Sequence, residues 1–188
     1  ICQLWHMGRI VHSSFNDGKM PISSSATQAP GQAHTPSGRF DYDVARPLEL
    51  AEIPRLIEDY RVAATNAKAA GFDGVQLHSA NGYLPEQFIR PNTNQRTDGY
   101  GGPIENRARF VLETAEAVMG AIGKDRVGIR LSPFGVFNDM PLYDSMEAEY
   151  TYLAEQLNAR GLVYIHLVDH SPMGAPPVPD AMKETFRK

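Results

Sequence analysis

Four short apolar runs, at residues 1–5, 74–77, 126–131 and 162–168, alternate along the chain with three stretches of helical periodicity. No other feature restricts the fold as much. Runs of this length read as buried strands, and strands joined through helices pair in parallel, because the crossover needs a dozen or more residues. In the first helical stretch Ile53, Leu56, Ile57, Tyr60, Ala64 and Ala67 recur on one face, with Pro54 near the start and Gly71 at the end. In the second, Val111, Ala115, Val118 and Ile122 form the stripe between Pro103 and Gly123. In the third, Asp144 and Glu147 make an N-cap pair around Met146, ahead of Tyr150, Leu153 and Leu157, and Gly161 closes the helix. Strand, helix, strand, three times over, predicts right-handed βαβ units and a parallel sheet.

Such units build either an open doubly wound sheet or a closed (β/α)8 barrel. No Gly-x-Gly-x-x-Gly follows a strand, which speaks against the dinucleotide-binding open sheet. Polar side chains follow every strand instead: His6 and Arg9, His78 and Asn81, Ser132, Asp169 and His170. A ring of such strand ends is what a (β/α)8 barrel presents on its catalytic face, but that fold typically takes about 250 residues. Four strands in 188 residues amount to half of it. The reading is one domain over residues 1–188, a partial barrel, with residues 6–48 as a long connection rich in Gly, Pro and Ser. A connection of that length after a barrel strand is usually an active-site cap rather than a spacer. A second Gly-rich connection spans residues 92–103. The chain opens inside a strand without an initiator Met and ends in the first turns of a helix, so the expectation is the middle of a longer protein.

Composition removes several classes. At 42% hydrophobic and 21% charged the chain reads as soluble and globular. A net charge of −4 with no basic stripe argues against a nucleic-acid partner. No apolar run approaches the roughly 20 residues that a membrane helix needs. Cys2 is the single cysteine, which excludes an internal disulfide or a cluster held by several thiolates and points to a reducing, cytoplasmic setting.

Chemistry concentrates in Gly74-Val-Gln-Leu-His78-Ser-Ala-Asn81-Gly-Tyr83. In parallel α/β folds the carboxyl end of a strand is where ligands bind. His78 and Asn81 offer two donors to one acceptor oxygen, and Tyr83 offers an acidic proton beside them. Each residue alone has a plainer reading: a satisfied strand-end histidine, an Asn-Gly turn, a packing tyrosine. Together they equip a site to polarise a carbonyl or nitro group and deliver a proton next to it. Arg130 sits inside the apolar strand Val127-Gly-Ile-Arg-Leu131 and needs a partner, either a buried ion pair or an anionic ligand or electron-rich cofactor ring. Gln3 poses the same question with an amide. His78, His166, Asp169 and His170 also lie near strand ends, but they lack the spacing of a helix-borne metal site, and none is assigned.

At these residues the chain resembles the old yellow enzyme family of flavin-dependent ene reductases. The matching runs are Gln3-Leu-Trp5-His-Met-Gly-Arg9, Ala29-Pro-Gly31, Ala70-Gly-Phe-Asp-Gly-Val75, His78-Ser-Ala-Asn81-Gly-Tyr83, Arg96-Thr-Asp-Gly-Tyr-Gly-Gly102 with Ile104-Glu-Asn-Arg107, and Gly128-Ile-Arg-Leu-Ser-Pro133. They fall in order over nearly the whole chain. The resemblance implies a (β/α)8 barrel with FMN at the carboxyl ends of the strands, this chain covering roughly strands 3 to 6. It also implies roles. Gln3 and Arg130 would contact the flavin, Gln3 at the pyrimidine edge and Arg130 near N1 and the C2 carbonyl. His78 and Asn81 would grip the oxygen of an activated alkene such as an enone, enal, maleimide or nitroalkene. Tyr83 would protonate the α-carbon, and Trp5 would wall the pocket. NADPH or NADH would reload the flavin from the same site in a ping-pong cycle, so no separate nucleotide domain is needed.

The chain also departs from the family pattern. Leu84-Pro85-Glu86 stands where Leu-Leu-Asn or Leu-Leu-Asp is usual, Gln95 where lysine is common, and Gly99 where a charged residue is usual. The flavin-contacting Thr or Ser of the first two strands, and the phosphate-holding loops of the last two, lie outside the region matched. Reduction of nitrate esters or nitroaromatics would use the same site. Iron–sulfur relatives are disfavoured by the single cysteine. A non-catalytic half-barrel, paired with a complementary half or with another copy of itself, and a metal-dependent barrel hydrolase are the readings from other classes.

Overall fold

The apolar runs form the strands expected of them. In the computed structural model, which describes residues 1–187, the elements in chain order are β1 (Cys2–Leu4), β2 (Ile22–Ser23), β3 (Gln32–Thr35), β4 (Gly38–Asp41), β5 (Arg46–Pro47), α1 (Ile53–Ala69), β6 (Val75–Ser79), α2 (Leu84–Ile89), α3 (Ile104–Arg107), α4 (Arg109–Ile122), β7 (Val127–Leu131), α5 (Met146–Arg160), β8 (Tyr164–Leu167) and α6 (Asp180–Thr185). The main sheet has the order β1-β6-β7-β8, and every pairing in it is parallel.

That order decides between the two α/β architectures. Successive units are added to the same edge, and the strand order never reverses. Right-handed crossovers then put α1, α4 and α5 on the same face of the sheet. A doubly wound sheet needs a reversal to cover both faces. Side-chain alternation agrees. Leu4, Val75, Leu77, Val127, Ile129 and Leu131 pack in one core with Ile53, Leu56 and Tyr60 of α1, Phe110, Val111, Ala115 and Val118 of α4, and Tyr150, Leu153 and Leu157 of α5. The opposite face takes the alternate residues, most of them polar.

The helix stripes hold, with differences at their ends. The Asp144–Glu147 cap pair does not form: α5 starts at Met146, and Ser145 occupies the cap position without a side-chain cap bond. A turn from Tyr143 O to the Met146 N–H, 3.1 Å, starts the helix instead. The Ser145 hydroxyl bonds Glu149 Oε1 at 2.9 Å rather than backbone. The second stripe is preceded by the single turn α3, broken from α4 at Ala108. Helix α2, which begins straight after Tyr83, was not expected.

The connection of residues 6–48 carries structure of its own. β2 pairs with β5, and β3 and β4 form a hairpin closed by Pro36 and Ser37. Buried Arg9 ties this segment to the β7–α5 connection, donating to the Gln28 carbonyl at 3.3 Å, to the Asn138 carbonyl at 3.1 Å and to the Asp139 carboxylate at 3.2 Å. Arg96, in the second Gly-rich connection, reaches the Ser24 and Leu48 carbonyls at 3.0 and 2.6 Å.

Candidate active site

The parallel register lines up the polar face in two rows. Gln3, Gln76, Gly128 and Tyr164 are register partners across β1, β6, β7 and β8. Two residues further on, His78, Arg130 and His166 are partners in the same way. The lower row is a chain of hydrogen bonds. Gln3 Nε2 donates to Gln76 Oε1 at 2.6 Å, and Gln76 Nε2 donates to the Tyr164 hydroxyl at 3.1 Å. Tyr164 lies across β7 because Gly128 has no side chain: a Cβ there would sit 2.2 Å from the Tyr164 ring.

The upper row ends in an aromatic cluster. Trp5 follows β1 on the face of Gln3, and its ring stacks on His78 with centroids 5.5 Å apart and planes 23° apart. Tyr83 meets both edge-on, at 4.8 Å from Trp5 and 5.1 Å from His78. Trp5 is nevertheless 52% exposed, so the cluster lies at an open rim. His78 itself is buried. Burial, reinforced by the charge of Arg130 beside it, lowers its pKa from 6.5 to about 4, which leaves the ring neutral at physiological pH. Its Nδ1 accepts the Ala80 N–H at 3.3 Å, so the proton of the neutral ring belongs on Nε2, a free donor.

Asn81 and Gly82 both take left-handed backbone, with φ of 59° and 76°. The backbone is that of the Asn-Gly turn, and it joins the end of the strand that carries His78 to Tyr83. Asn81 Oδ1 is buried and has no partner.

Arg130 does not form the buried ion pair that one reading offered. No carboxylate among the described residues pairs with it, and its Nε is buried without a hydrogen-bond partner. The buried Nε–H of Arg130 is thus a donor left without an acceptor among the described residues. An electron-rich ring lying over Gln3 and Arg130 fits that demand, with Gln3 supplying an exposed amide next to it. The metal alternative finds no ligand set: among the described residues no group of three His, Cys, Asp or Glu side chains converges. The Asp169 carboxylate instead takes the Ser171 N–H at 2.9 Å and lies 3.4 Å from Lys183. A separate cleft of about 280 Å³ between β1 and α1 includes Gln3 and Trp5 but none of His78, Asn81, Tyr83 and Arg130.

Residues 1–186 match the NADH:flavin oxidoreductase / NADH oxidase family. The chain belongs to that family. A protein named 12-oxophytodienoate reductase 5, from Oryza sativa subsp. japonica, is 50% identical over 172 residues, which cover 90% of this chain and 44% of the relative. The structure of the old yellow enzyme homologue from Zymomonas mobilis superposes with a TM-score of 0.89 at 43% identity, over 98% of this chain and 53% of that one. Morphinone reductase in complex with tetrahydroNAD gives 0.88 at 44% identity, over 98% and 51%. The chain thus spans about half the length of the relatives it matches, and its sheet is half of the (β/α)8 barrel of the flavin oxidoreductases.

Four residues that matter to this site were not singled out for it beforehand: Glu86, Gln87, Ser132 and Asn138, all of which bond the Asn81–Gly82 turn. Ser132 stood out only as a strand-end polar residue, and Glu86 only as a departure from the family pattern. Nothing in the spacing links either to Asn81, since the bonds join segments 4 to 57 residues apart. No helix among the described residues is long and apolar enough to cross a membrane.

Proposed function

We propose that this chain is the central part of an FMN-dependent ene reductase that uses NADH or NADPH to reduce activated C=C bonds. The observation that carries the reading is the juxtaposition of a neutral His78 with a free Nε2–H, the Tyr83 ring against it, and an unpaired Arg130 one strand away. Bound over Gln3 and Arg130, FMN would supply the hydride. Arg130 holds a fixed positive charge where the cofactor's electron density rises, and Gln3 offers a hydrogen bond to its edge. His78 Nε2–H and the Asn81 amide would donate to the oxygen of an enone, enal, maleimide or nitroalkene. These donors stabilise the charge that builds on that oxygen as the β-carbon is attacked. Tyr83 gives its phenolic proton to the α-carbon. Trp5 fixes the His78 ring by stacking and shields it from bulk water on that side. The morphinone reductase complex with a nicotinamide analogue supports a nicotinamide reductant for this site too. We place the protein in the cytoplasm, where the Cys2 thiol stays reduced.

The test uses His78→Ala and Asn81→Ala in the complete reductase that carries this segment. Each removes one donor, and a single donor at a comparable site is worth about 2–4 kcal/mol. Alkene reduction should fall by two orders of magnitude or more, and binding of a phenolate to the oxidised flavin should weaken in parallel. Unchanged turnover and phenolate affinity in both variants would overturn the assignment.

A further inference from the structure

The Asn81–Gly82 turn has all four of its backbone polar groups taken by side chains. The Asn81 N–H donates to Ser132 Oγ at 2.8 Å, and the Asn81 carbonyl accepts from Asn138 Nδ2 at 2.7 Å. The Gly82 N–H donates to Glu86 Oε2 at 2.7 Å, and its carbonyl accepts from Gln87 Nε2 at 2.7 Å. A turn needs no such clamp merely to reverse the chain, since Asn-Gly does that unaided.

We propose that Ser132 and Asn138 are positioning residues that hold Asn81 in the left-handed conformation from which its amide reaches the substrate oxygen, with Glu86 setting the polarity of the clamp. This rests on the reading of Asn81 as a donor to that oxygen. The polarity follows from what each group can do. Glu86 is fully buried, and as a carboxylate it only accepts. Its Oε1 takes the Tyr150 hydroxyl at 2.8 Å and Arg90 Nε at 3.1 Å. Its Oε2 takes the Gly82 N–H and, at 3.1 Å, the Ser132 hydroxyl. With the Ser132 proton committed to Glu86, only lone pairs of Ser132 face Asn81, and they accept its N–H. Arg90 adds bonds to the Ser132 and Pro133 carbonyls at 3.1 and 2.8 Å, so the loop that carries Ser132 is fixed from the same centre. The Asn81 peptide units are thus registered against the end of β7, the strand that carries Arg130. The clamp ties the substrate donor to the strand with the unpaired cation.

Two double-mutant cycles test this in the flavin-loaded complete enzyme, with binding of a phenolate to the oxidised flavin as the readout. Ser132→Ala and Asn138→Ala should each weaken phenolate binding severalfold, with flavin content unchanged. In an Asn81→Ala background, where the aimed amide is gone, each should change affinity by a factor near one, since residues acting through a shared partner are not additive. Equal weakening with and without Asn81 would show general structural damage and overturn the proposal, as would no weakening in either background. If Ser132→Ala does not fold, the Asn138→Ala cycle decides alone. Should Asn81→Ala itself leave affinity unchanged, the donor reading fails and this proposal falls with it; a large Asn81 effect with additive Ser132 and Asn138 effects sinks the positioning role only.

Discussion

Tyr83 is the residue where chemistry and packing are hardest to tell apart, because its ring meets both Trp5 and His78. Tyr83→Phe separates them: the ring and its two edge contacts stay, and only the hydroxyl goes. A positioned acid contributes about 10²–10⁴-fold, so alkene reduction should slow by that order while flavin reduction by NADPH is nearly intact. Nitroalkenes, whose product anion survives without immediate protonation, should be affected less than enones. Stopped-flow measurement of the two half-reactions decides it; equal slowing of both makes Tyr83 a packing residue. His78 makes a second expectation at this scale. Its pKa in the fold, about 4, lies below the ordinary 6.5, so between those values the unfolded chain binds a proton that the fold refuses. Stability is therefore undiminished by this residue above pH 6.5 and is lost as pH falls towards 4. His6, His166 and His170 are also lowered, chiefly by burial, and tilt the curve the same way. His78→Gln should make the drop in denaturant midpoint from pH 7 to pH 5 visibly smaller; an unchanged drop would show that His78 titrates normally.

At the scale of elements, α2 is the piece that organises the site. It starts where Tyr83 ends, and it carries Glu86 and Gln87 into the core, with Arg90 buried at its C-cap. A buried carboxylate survives there only because every lone pair is used. Burial raises the pKa of the Tyr150 phenol well above 10, so it stays protonated and donates to Glu86. Tyr150→Phe keeps the ring beside Arg90 and removes that one donor, and we expect a loss of about 1–3 kcal/mol in unfolding free energy by denaturant titration. A neutral result would mean that Arg90 alone satisfies Glu86 Oε1. These elements also mark what the sequence could and could not disclose. The stripes of α1, α4 and α5 were legible because a face packed on a sheet repeats every three or four residues. Helix α2 has no exposed face to contrast, being buried throughout its six residues, so periodicity was blind to it. The Asp144–Glu147 cap was a local pattern that lost to a turn beginning at Tyr143, whose hydroxyl is drawn to Glu149 at 2.8 Å.

For the whole molecule, the order β1-β6-β7-β8 carries the consequence that β1 and β8 each have an unpaired edge among the described residues. The architecture was readable in the alternation of strands and helices; the rows across the polar face were not, because register is a property of paired strands and the four partners lie far apart in sequence. Those rows place Gln3 and Arg130 on the same polar face of the sheet, on strands separated only by β6. On the proposed reading they would give a flavin ring a floor and a cation, while the resemblance assigns its phosphate to loops outside the region matched. An open sheet would also expose such a ring to water, which weakens every hydrogen bond offered to it. We therefore expect the purified 188-residue chain to retain well under one FMN per chain after desalting, where the complete reductase that carries this segment, treated alike, stays yellow. Absorbance of the flavin against protein content measures it, before and after incubation with excess FMN. Tight, stoichiometric flavin on the monomeric 188-residue chain would show that Gln3, Arg130 and their neighbours hold the cofactor without the rest of the barrel, and that closure of the sheet matters for catalysis rather than for binding.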